Sequence, residues 1–167
     1  LSFYQRKEVK DAIAYFRLAV NPDDDEAMRR IINYPARGIG ETTVGKLTAA
    51  AIADRVSMWS VLNAPAAHSL DVNGGTLKKL DAFRTLIAGF VRQNSEGADA
   101  YTLATAIIGQ TRLLSSLMSD NTPENISKGE NLQEILSNVK EFVDEHNEAG
   151  EQDQTDNESD HAAAGDA

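Results

Sequence analysis

Apolar residues recur at steps of three and four along most of the chain, which is the spacing of one face of an α-helix. The clearest stripe consists of Val9, Ile13, Phe16 and Val20, and it predicts a helix over about residues 6–20. Runs of β-branched residues alternating at a period of two, which are typical of strands, are absent. The pattern therefore predicts an all-α fold, a compact multi-helix domain of about six to eight helices given ordinary helix and loop lengths.

Further stripes predict helices between residues 22 and 143, with Ser57 capping a short one. The acidic residues at 23–26 suit the N-terminus of the second helix. The apolar positions that mark these helices are Met28, Ile31, Ile32, Val44, Leu47, Ile52, Met58, Trp59, Val61, Leu62, Leu77, Leu80, Phe83, Ile87, Phe90, Val91, Leu103, Ile107, Leu113, Leu114, Leu117, Leu132, Ile135, Leu136, Val139, Phe142 and Val143.

The last twenty residues, from Glu148 onward, contain no large apolar side chain. Such a segment cannot bury enough surface to offset the entropy of ordering it. We therefore predict a helical domain over residues 1–147 and a disordered acidic tail or linker over residues 148–167.

The net charge of −10 is unevenly placed. Residues 124–167 carry 13 of the 26 acidic residues but only two of the 16 basic ones, which leaves 13 acidic and 14 basic residues in the first 123. The body of the domain is thus near neutral, and contact with phosphate there is not excluded. The absence of cysteine excludes disulfides and thiolate metal sites. With neither a membrane span nor a signal segment in the sequence, we expect a soluble, cytoplasmic protein with no membrane partner.

No pattern of catalytic residues is apparent. His68, His146 and His161 are far apart and are best interpreted as exposed surface histidines. The chain has neither a phosphate-binding loop of the G-x-x-x-x-G-K-[ST] type nor a G-x-S-x-G nucleophile elbow. The acidic runs at 23–26 and 153–160 favour helix capping and a solvated charge run over a cation site. We expect no catalytic residue, metal or cofactor in this chain.

One turn carries candidate binding chemistry. In Arg37-Gly38-Ile39-Gly40 the glycines permit a positive φ and a close approach of a ligand. The helix that follows offers unpaired N–H groups to a phosphate oxygen. Thr42 and Thr43 would add hydroxyls, Arg37 a full charge, and Ile39 would point inward. Helix-hairpin-helix modules hold the DNA backbone in this way without reading bases. From these residues alone, a purely structural turn between two helices is slightly the better interpretation.

A wider resemblance favours the binding interpretation. The first 44 residues, "LSFYQRKEVKDAIAYFRLAVNPDDDEAMRRIINYPARGIGETTV", resemble the insertion subdomain, commonly labelled 2B, of superfamily 1 DNA helicases of the UvrD/Rep/PcrA type. Later, "KGENLQEILSNVKEF" at 128–142 is similar to the family's R-x-E-N-L-x-E-L helix, with Lys128 where the family usually has Arg. The resemblance covers roughly residues 1–147, and residues 55–120 add little to it.

The resemblance implies a longer parent protein that uses ATP and Mg²⁺ to move 3′→5′ on single-stranded DNA and to unwind duplex in repair or replication. The ATP-binding motifs would lie in RecA-like motor domains outside this chain. The insertion subdomain would contact duplex DNA at the single-strand/double-strand junction. The residues carried over by the resemblance as DNA contacts are Arg37, Gly38, Ile39, Gly40 and Thr43, with Lys10 and Arg17 as weaker candidates. Thr42 joins them from the helix-start argument above.

A second hypothesis belongs to a different class. The chain would then be an autoinhibitory or protein-docking module whose acidic tail or helical faces contact the motor domains or repair partners, with no direct grip on DNA. Loss of duplex binding on changing the Gly-Ile-Gly turn would distinguish the two.

Overall fold

The computed structural model describes the backbone of residues 2–163 and the side chains of residues 2–150. Within them the chain is helical with no strand, which confirms the all-α prediction. A short 3₁₀ helix, Phe3–Gln5, precedes eight α-helices. These are α1 Lys7–Val20, α2 Asp25–Ile31, α3 Glu41–Asp54, α4 Met58–Asn63, α5 Gly74–Ser95, α6 Ala100–Gln110, α7 Leu113–Met118 and α8 Pro123–Ala163. No helix in this part of the chain is both long and apolar enough to cross a membrane.

Helix α1 is the centre of the fold, because it packs against α2, α5, α6 and α8. Its inward face is built from Val9, Ala12, Tyr15 and Leu18, none of which is exposed. Of the predicted stripe, Val9 is fully buried, Ile13 and Phe16 are half-buried and Val20 is exposed, so the stripe lies along the edge of the buried face rather than at its centre. The core that surrounds it holds the turn before α3 in a fixed place.

Short polar side chains fix where four of the helices begin. Asp24, Ser57, Asn73 and Asp99 each accept a hydrogen bond from the backbone N–H three residues later, at 2.7–3.1 Å. The backbone N–H of Thr102 is the main reason that the pKa of Asp99 is lowered. The predicted Ser57 cap is confirmed. Helix α3 is different, since its N-cap is Gly40, which has no side chain to offer.

The acidic run at 23–26 ties α2 to α4. Asp23 accepts a hydrogen bond from the Ser57 hydroxyl at 2.6 Å, and Asp25 accepts one from the Met58 N–H at 2.9 Å. With Asp24 capping α2, the predicted capping role of this run is confirmed. Within the described residues, no three His, Asp or Glu side chains form a group that could hold a metal ion.

A buried hydrogen bond joins the two segments on which the helicase resemblance rests. Asn131 of α8 donates its side-chain N–H to the Glu8 carboxylate of α1 at 2.7 Å, across 123 residues of sequence. Both side chains are buried. A buried carboxylate is stable only when it is paired or hydrogen-bonded, so this contact holds the beginning of the domain against its last helix.

Several apolar positions that mark helices are not buried. Val20 and Ile52 are 69% and 71% exposed, and Leu77 and Phe142 are 40% and 61% exposed. An apolar residue at helical spacing is expected to be buried, and for Ile52 that expectation is wrong. Val20 is the last residue of α1, and Ile52 lies on a face of α3 that no other described helix covers. Periodicity identifies the apolar face of a helix but not whether another element packs on it.

Helix α8 extends across the predicted domain boundary at residue 148. Its described side chains from Asp144 to Gly150 are all exposed, and the last one that packs against the core is Val139. A helix without packing partners depends on local propensity alone, which is marginal in water. The disorder expected for residues 148–167 therefore stays a prediction, and residues 164–167 of that tail lie outside the described residues.

Candidate functional site

The turn between α2 and α3 is held together by a single amide side chain. The Asn33 side-chain oxygen accepts hydrogen bonds from the backbone N–H groups of Arg37 at 2.8 Å and Ile39 at 3.1 Å. Gly38 has a φ of +73°, in the left-handed region that favours glycine. The Ile39 side chain is fully buried, so the prediction that it points inward is confirmed. Asn33 thus fixes the turn through two hydrogen bonds, and Ile39 fixes it by packing into the core.

The turn presents the first N–H groups of α3 without a capping partner. The N–H of Val44 is the first that bonds within the helix, to the Gly40 carbonyl at 3.1 Å. Among the described residues, no acceptor is within hydrogen-bond reach of the N–H groups of Glu41, Thr42 and Thr43. Thr42 is exposed and Thr43 is half-buried, and neither hydroxyl forms a hydrogen bond within the described residues. Such a helix start attracts an anion.

One carboxylate opposes that attraction. Glu41 is the first residue of α3 and its side chain is exposed. It complements the positive end of the helix, but it also repels an incoming phosphate. The helix start is therefore suited to weak binding unless a cation stands beside it.

Arg37 does not provide that cation, contrary to its expected place on a phosphate. Its guanidinium turns inward and donates hydrogen bonds to the carbonyls of Ile31, Ile32 and Tyr34 at 2.8, 3.4 and 3.2 Å. A further hydrogen bond goes to the Tyr15 hydroxyl. These carbonyls belong to the end of α2 and the residues after it, where the helical ladder stops. The Ile31 carbonyl also accepts from the Tyr34 N–H at 3.0 Å, whereas the Ile32 carbonyl has no other donor among the described residues. Arg37 thus acts as a side-chain cap of α2 and a support for the turn.

Two aromatic rings enclose the Arg37 guanidinium. Its central carbon lies 5.7 Å from the centre of the Tyr15 ring and 5.3 Å from that of Phe83 on α5. Both distances lie within the range of cation–π attraction. The Tyr15 hydroxyl also donates to the Tyr34 carbonyl at 2.5 Å. Burial raises the pKa of Tyr15 to about 12, from an ordinary value of 10.0.

The raised pKa of Tyr15 predicts a pH-dependent stability. Tyr15 stabilises the folded state fully below pH 10, and this contribution is lost as the pH rises from 10 towards 12, because the unfolded chain ionises first. The difference of two pKa units corresponds to about 3 kcal/mol. Tyr15→Phe should be less stable than the wild type at pH 8, and this deficit should shrink as the pH rises. Urea unfolding across this range measures it; a deficit that does not change with pH would contradict the prediction.

A lysine from a distant helix lies against the turn. A Cβ placed on Gly38 would meet Nζ, Cε and Cδ of Lys79, on α5, at 2.9, 3.2 and 3.3 Å. The end of the Lys79 side chain therefore passes directly over Gly38. The sequence analysis missed this residue, since it lies 41 positions downstream in the region where the helicase resemblance is weakest. No local signal could have revealed the contact.

The weaker candidates, Lys10 and Arg17, lie together on α1. They are seven residues apart on one face and line a cavity of about 320 Å³ between α1 and α2, together with Glu26 and Arg30. Arg30 is paired with the buried Asp11 at 2.8 Å, and burial raises the pKa of that carboxyl despite the arginine.

The grooves on the two sides of α2 share Arg30. It lines both the cavity of Lys10 and Arg17 and a neighbouring groove between α2 and α3. The second groove also includes Ile39 and Glu41 of the turn. Lys10 and Arg17 therefore lie outside the turn, in the cavity on the other side of α2.

Comparison with known proteins gives a consistent result. Residues 1–161 match the UvrD-like helicase C-terminal domain family. The ATP-dependent DNA helicase PcrA of Bacillus subtilis is 33% identical over 140 residues, which are 84% of this chain and 18% of the relative. PcrA of Leuconostoc citreum is 34% identical over 145 residues, 86% of this chain and 19% of the relative. The chain spans about a fifth of the length of these relatives.

Proposed function

The chain belongs to the UvrD-like helicase C-terminal domain family, and from this premise we propose that it is a duplex-DNA-binding regulatory subdomain of the 2B type. Its parent would be an ATP-dependent 3′→5′ DNA helicase acting in DNA repair or replication. ATP and Mg²⁺ would be bound and hydrolysed by RecA-like motor domains elsewhere in that parent. This subdomain would contain no catalytic residue and would hold the duplex near the single-strand/double-strand junction.

The observation that carries the proposal is the start of α3. Three backbone N–H groups, those of Glu41, Thr42 and Thr43, point away from the helix with no acceptor among the described residues. They are held in place by a turn whose Ile39 is fully buried. Preformed donors bind phosphate without the entropic cost of ordering a loop. The two threonine hydroxyls can add hydrogen bonds to the same or the next phosphate.

The roles of the candidate residues differ in this proposal. Gly38 and Gly40 let the backbone approach DNA closely, and Thr42 and Thr43 contact phosphate. Ile39 and Arg37 position the turn from inside the domain. None of these groups can read a base edge from the backbone, so binding should be independent of sequence.

A second basic surface lies across α2 from the turn's groove. Lys10 and Arg17 line a cavity that shares Arg30 with that groove, and neither is ion-paired within the described residues. A duplex whose backbone rests on the turn could place a further phosphate near them. With two to four phosphate contacts in total, we expect a dissociation constant of about 10⁻⁴ to 10⁻⁶ M at physiological salt, the range of non-specific binding.

One observation favours the second candidate function, a protein-docking or autoinhibitory module. The groove between α7 and α8 exposes Met118 to 65% and Ile126 to 51%, with acidic Asp120 and Glu130 at its edge. An exposed apolar groove with acidic edges suits a basic, apolar protein segment rather than DNA. The two functions are compatible in one subdomain, since this groove and the turn use different helices.

Duplex binding at the turn is tested by an amide chemical-shift titration. A short mixed-sequence DNA duplex is added to the 167-residue chain at low salt, and the single strand of the same sequence is added in parallel. We expect shifts centred on residues 37–43, larger for the duplex and suppressed by added salt. Smaller shifts are expected for Lys10 and Arg17.

The location of the shifts separates the two candidate functions. If millimolar duplex shifts no amide between residues 37 and 43, the turn does not bind DNA. The protein-docking function is then the better supported of the two. Residues 114–133, around the α7–α8 groove, serve as an internal control, because the proposal predicts no duplex-dependent shift there.

A further inference from the structure

We propose that Lys79 of α5 completes the phosphate site at the turn, as the cation that Arg37 does not provide. This inference rests on the proposed function, duplex binding at the start of α3. It assigns a contact residue from a region of the chain where the sequence carries no helicase motif. The site would then consist of two parts that are distant in sequence, the turn at 38–43 and one side chain of α5.

The position of Lys79 follows from the absence of a side chain at Gly38. The last two carbons and the ammonium of Lys79 come within 3.3 Å of the point that a Cβ of residue 38 would occupy. Any other residue at 38 would push this ammonium away. Gly38 therefore serves two purposes, since it adopts a φ of +73° and it leaves room for the lysine.

The charge of Lys79 is available to a ligand. Within the described residues its ammonium forms neither a hydrogen bond nor an ion pair, and the side chain is exposed. The ion pair of this part of α5 is instead made by Arg84 and Asp81 at 3.0 Å. Since Gly38 is only three residues before the first free N–H of α3, a phosphate on that N–H lies within reach of the flexible lysine side chain. The ammonium would also offset the repulsion from Glu41.

The neighbouring lysine provides a matched control. Lys78 precedes Lys79 on the same helix, is also exposed, and lines the groove between α4 and α5 rather than the turn. Successive helical residues point about 100° apart, so the two ammonium groups serve different faces. Lys78→Gln and Lys79→Gln each remove one positive charge from α5, but only Lys79→Gln removes a charge that lies against the turn.

The test compares Lys79→Gln, Lys79→Arg and Lys78→Gln in the 167-residue chain. Duplex affinity is measured by fluorescence anisotropy with a labelled mixed-sequence duplex over a series of salt concentrations. We expect Lys79→Gln to bind more weakly at low salt, with a slope of log K against log[salt] smaller in magnitude by about one. Lys79→Arg should keep most of the slope. Lys78→Gln should leave it unchanged.

The outcomes separate this inference from the proposed function. If Lys79→Gln and Lys78→Gln behave alike while duplex still shifts the amides of residues 40–43, the role of Lys79 is overturned and duplex binding at the turn stands. If the wild type itself binds no duplex, both fail. Thermal unfolding of each variant is the folding control, and we expect it to be unchanged because both lysines are exposed.

Discussion

Replacing Arg37 with methionine is expected to lower the free energy of unfolding by about 3 kcal/mol. The methionine keeps the length of the side chain but removes a donor from the carbonyls of Ile31, Ile32 and Tyr34. The Tyr34 N–H and the Tyr15 hydroxyl still serve the first and the last, whereas the Ile32 carbonyl loses its one donor among the described residues. An acceptor left unsatisfied in this way costs about 1–3 kcal/mol. The contact with the Phe83 ring would also be lost. Urea unfolding followed by circular dichroism measures the change.

Arg29→Met is the matched control for this prediction. Arg29 lies on α2, the short helix whose end Arg37 caps, but its side chain is exposed, so the change should stay within about 0.5 kcal/mol of the wild type. Arg37→Lys should fall between the two, since one ammonium cannot reach three carbonyls and a tyrosine hydroxyl in the way a planar guanidinium can. Equal stabilities for Arg37→Met and Arg29→Met would show that Arg37 does not support the turn.

The inward direction of Arg37 explains part of what sequence reasoning could and could not predict. An arginine beside two glycines and a helix start suggested a phosphate contact, because each residue was considered with its neighbours in sequence. In the structure, Tyr15 and Phe83, which are 22 and 46 residues away, provide a better environment for the guanidinium. Which interaction prevails depends on the tertiary packing, and spacing along the chain does not contain that information.

The turn itself was predictable because its determinants are local. Two glycines, a buried isoleucine and the first residue of the following helix occupy the consecutive positions 38–41, and the structure has Ile39 buried and Gly38 at positive φ. Asn33, which accepts the two N–H bonds that close the turn, is also local. An asparagine at such a position is a known turn signal and could have been identified from the sequence.

The burial of whole helices was less predictable than their existence. The buried face of α1 lies beside the stripe that its apolar spacing marks, because the four helices around it also bury Ala12 and Tyr15. Ile52 and Phe142 follow the same periodicity and remain exposed, because α3 and the end of α8 lie at the edge of the packed domain.

The electrostatics of the proposed site also depend on tertiary structure. The chain as a whole has a net charge of −10, which opposes DNA binding. The excess acid lies after residue 123, whereas Lys79 lies against the turn and Lys10 and Arg17 line a cavity on the other side of α2. At physiological salt, exposed charges separated by more than about 8 Å are largely screened. A cation as close to the turn as Lys79 therefore matters more to a bound phosphate there than the net charge of the whole chain.

Gly38→Ala is expected to weaken duplex binding at least about tenfold, a loss of about 1.4 kcal/mol in binding free energy. The added methyl group would displace the Lys79 ammonium, which lies 2.9 Å from its position, and strain the turn that presents the α3 N–H groups. The same strain should lower the free energy of unfolding by about 1–2 kcal/mol, the cost of the left-handed conformation for a residue with a Cβ. Anisotropy with a labelled duplex and urea unfolding measure the two effects separately.

Gly97→Ala separates strain from binding. Gly97 also has a positive φ, +89°, but it lies between α5 and α6 with no atom within 4 Å of the added Cβ. It should therefore share the loss of stability with Gly38→Ala and keep wild-type affinity for the duplex. If both variants bind as the wild type does, the glycine turn only connects two helices and contributes nothing to DNA binding. If both weaken binding equally, general destabilisation rather than the Lys79 contact at Gly38 is the cause.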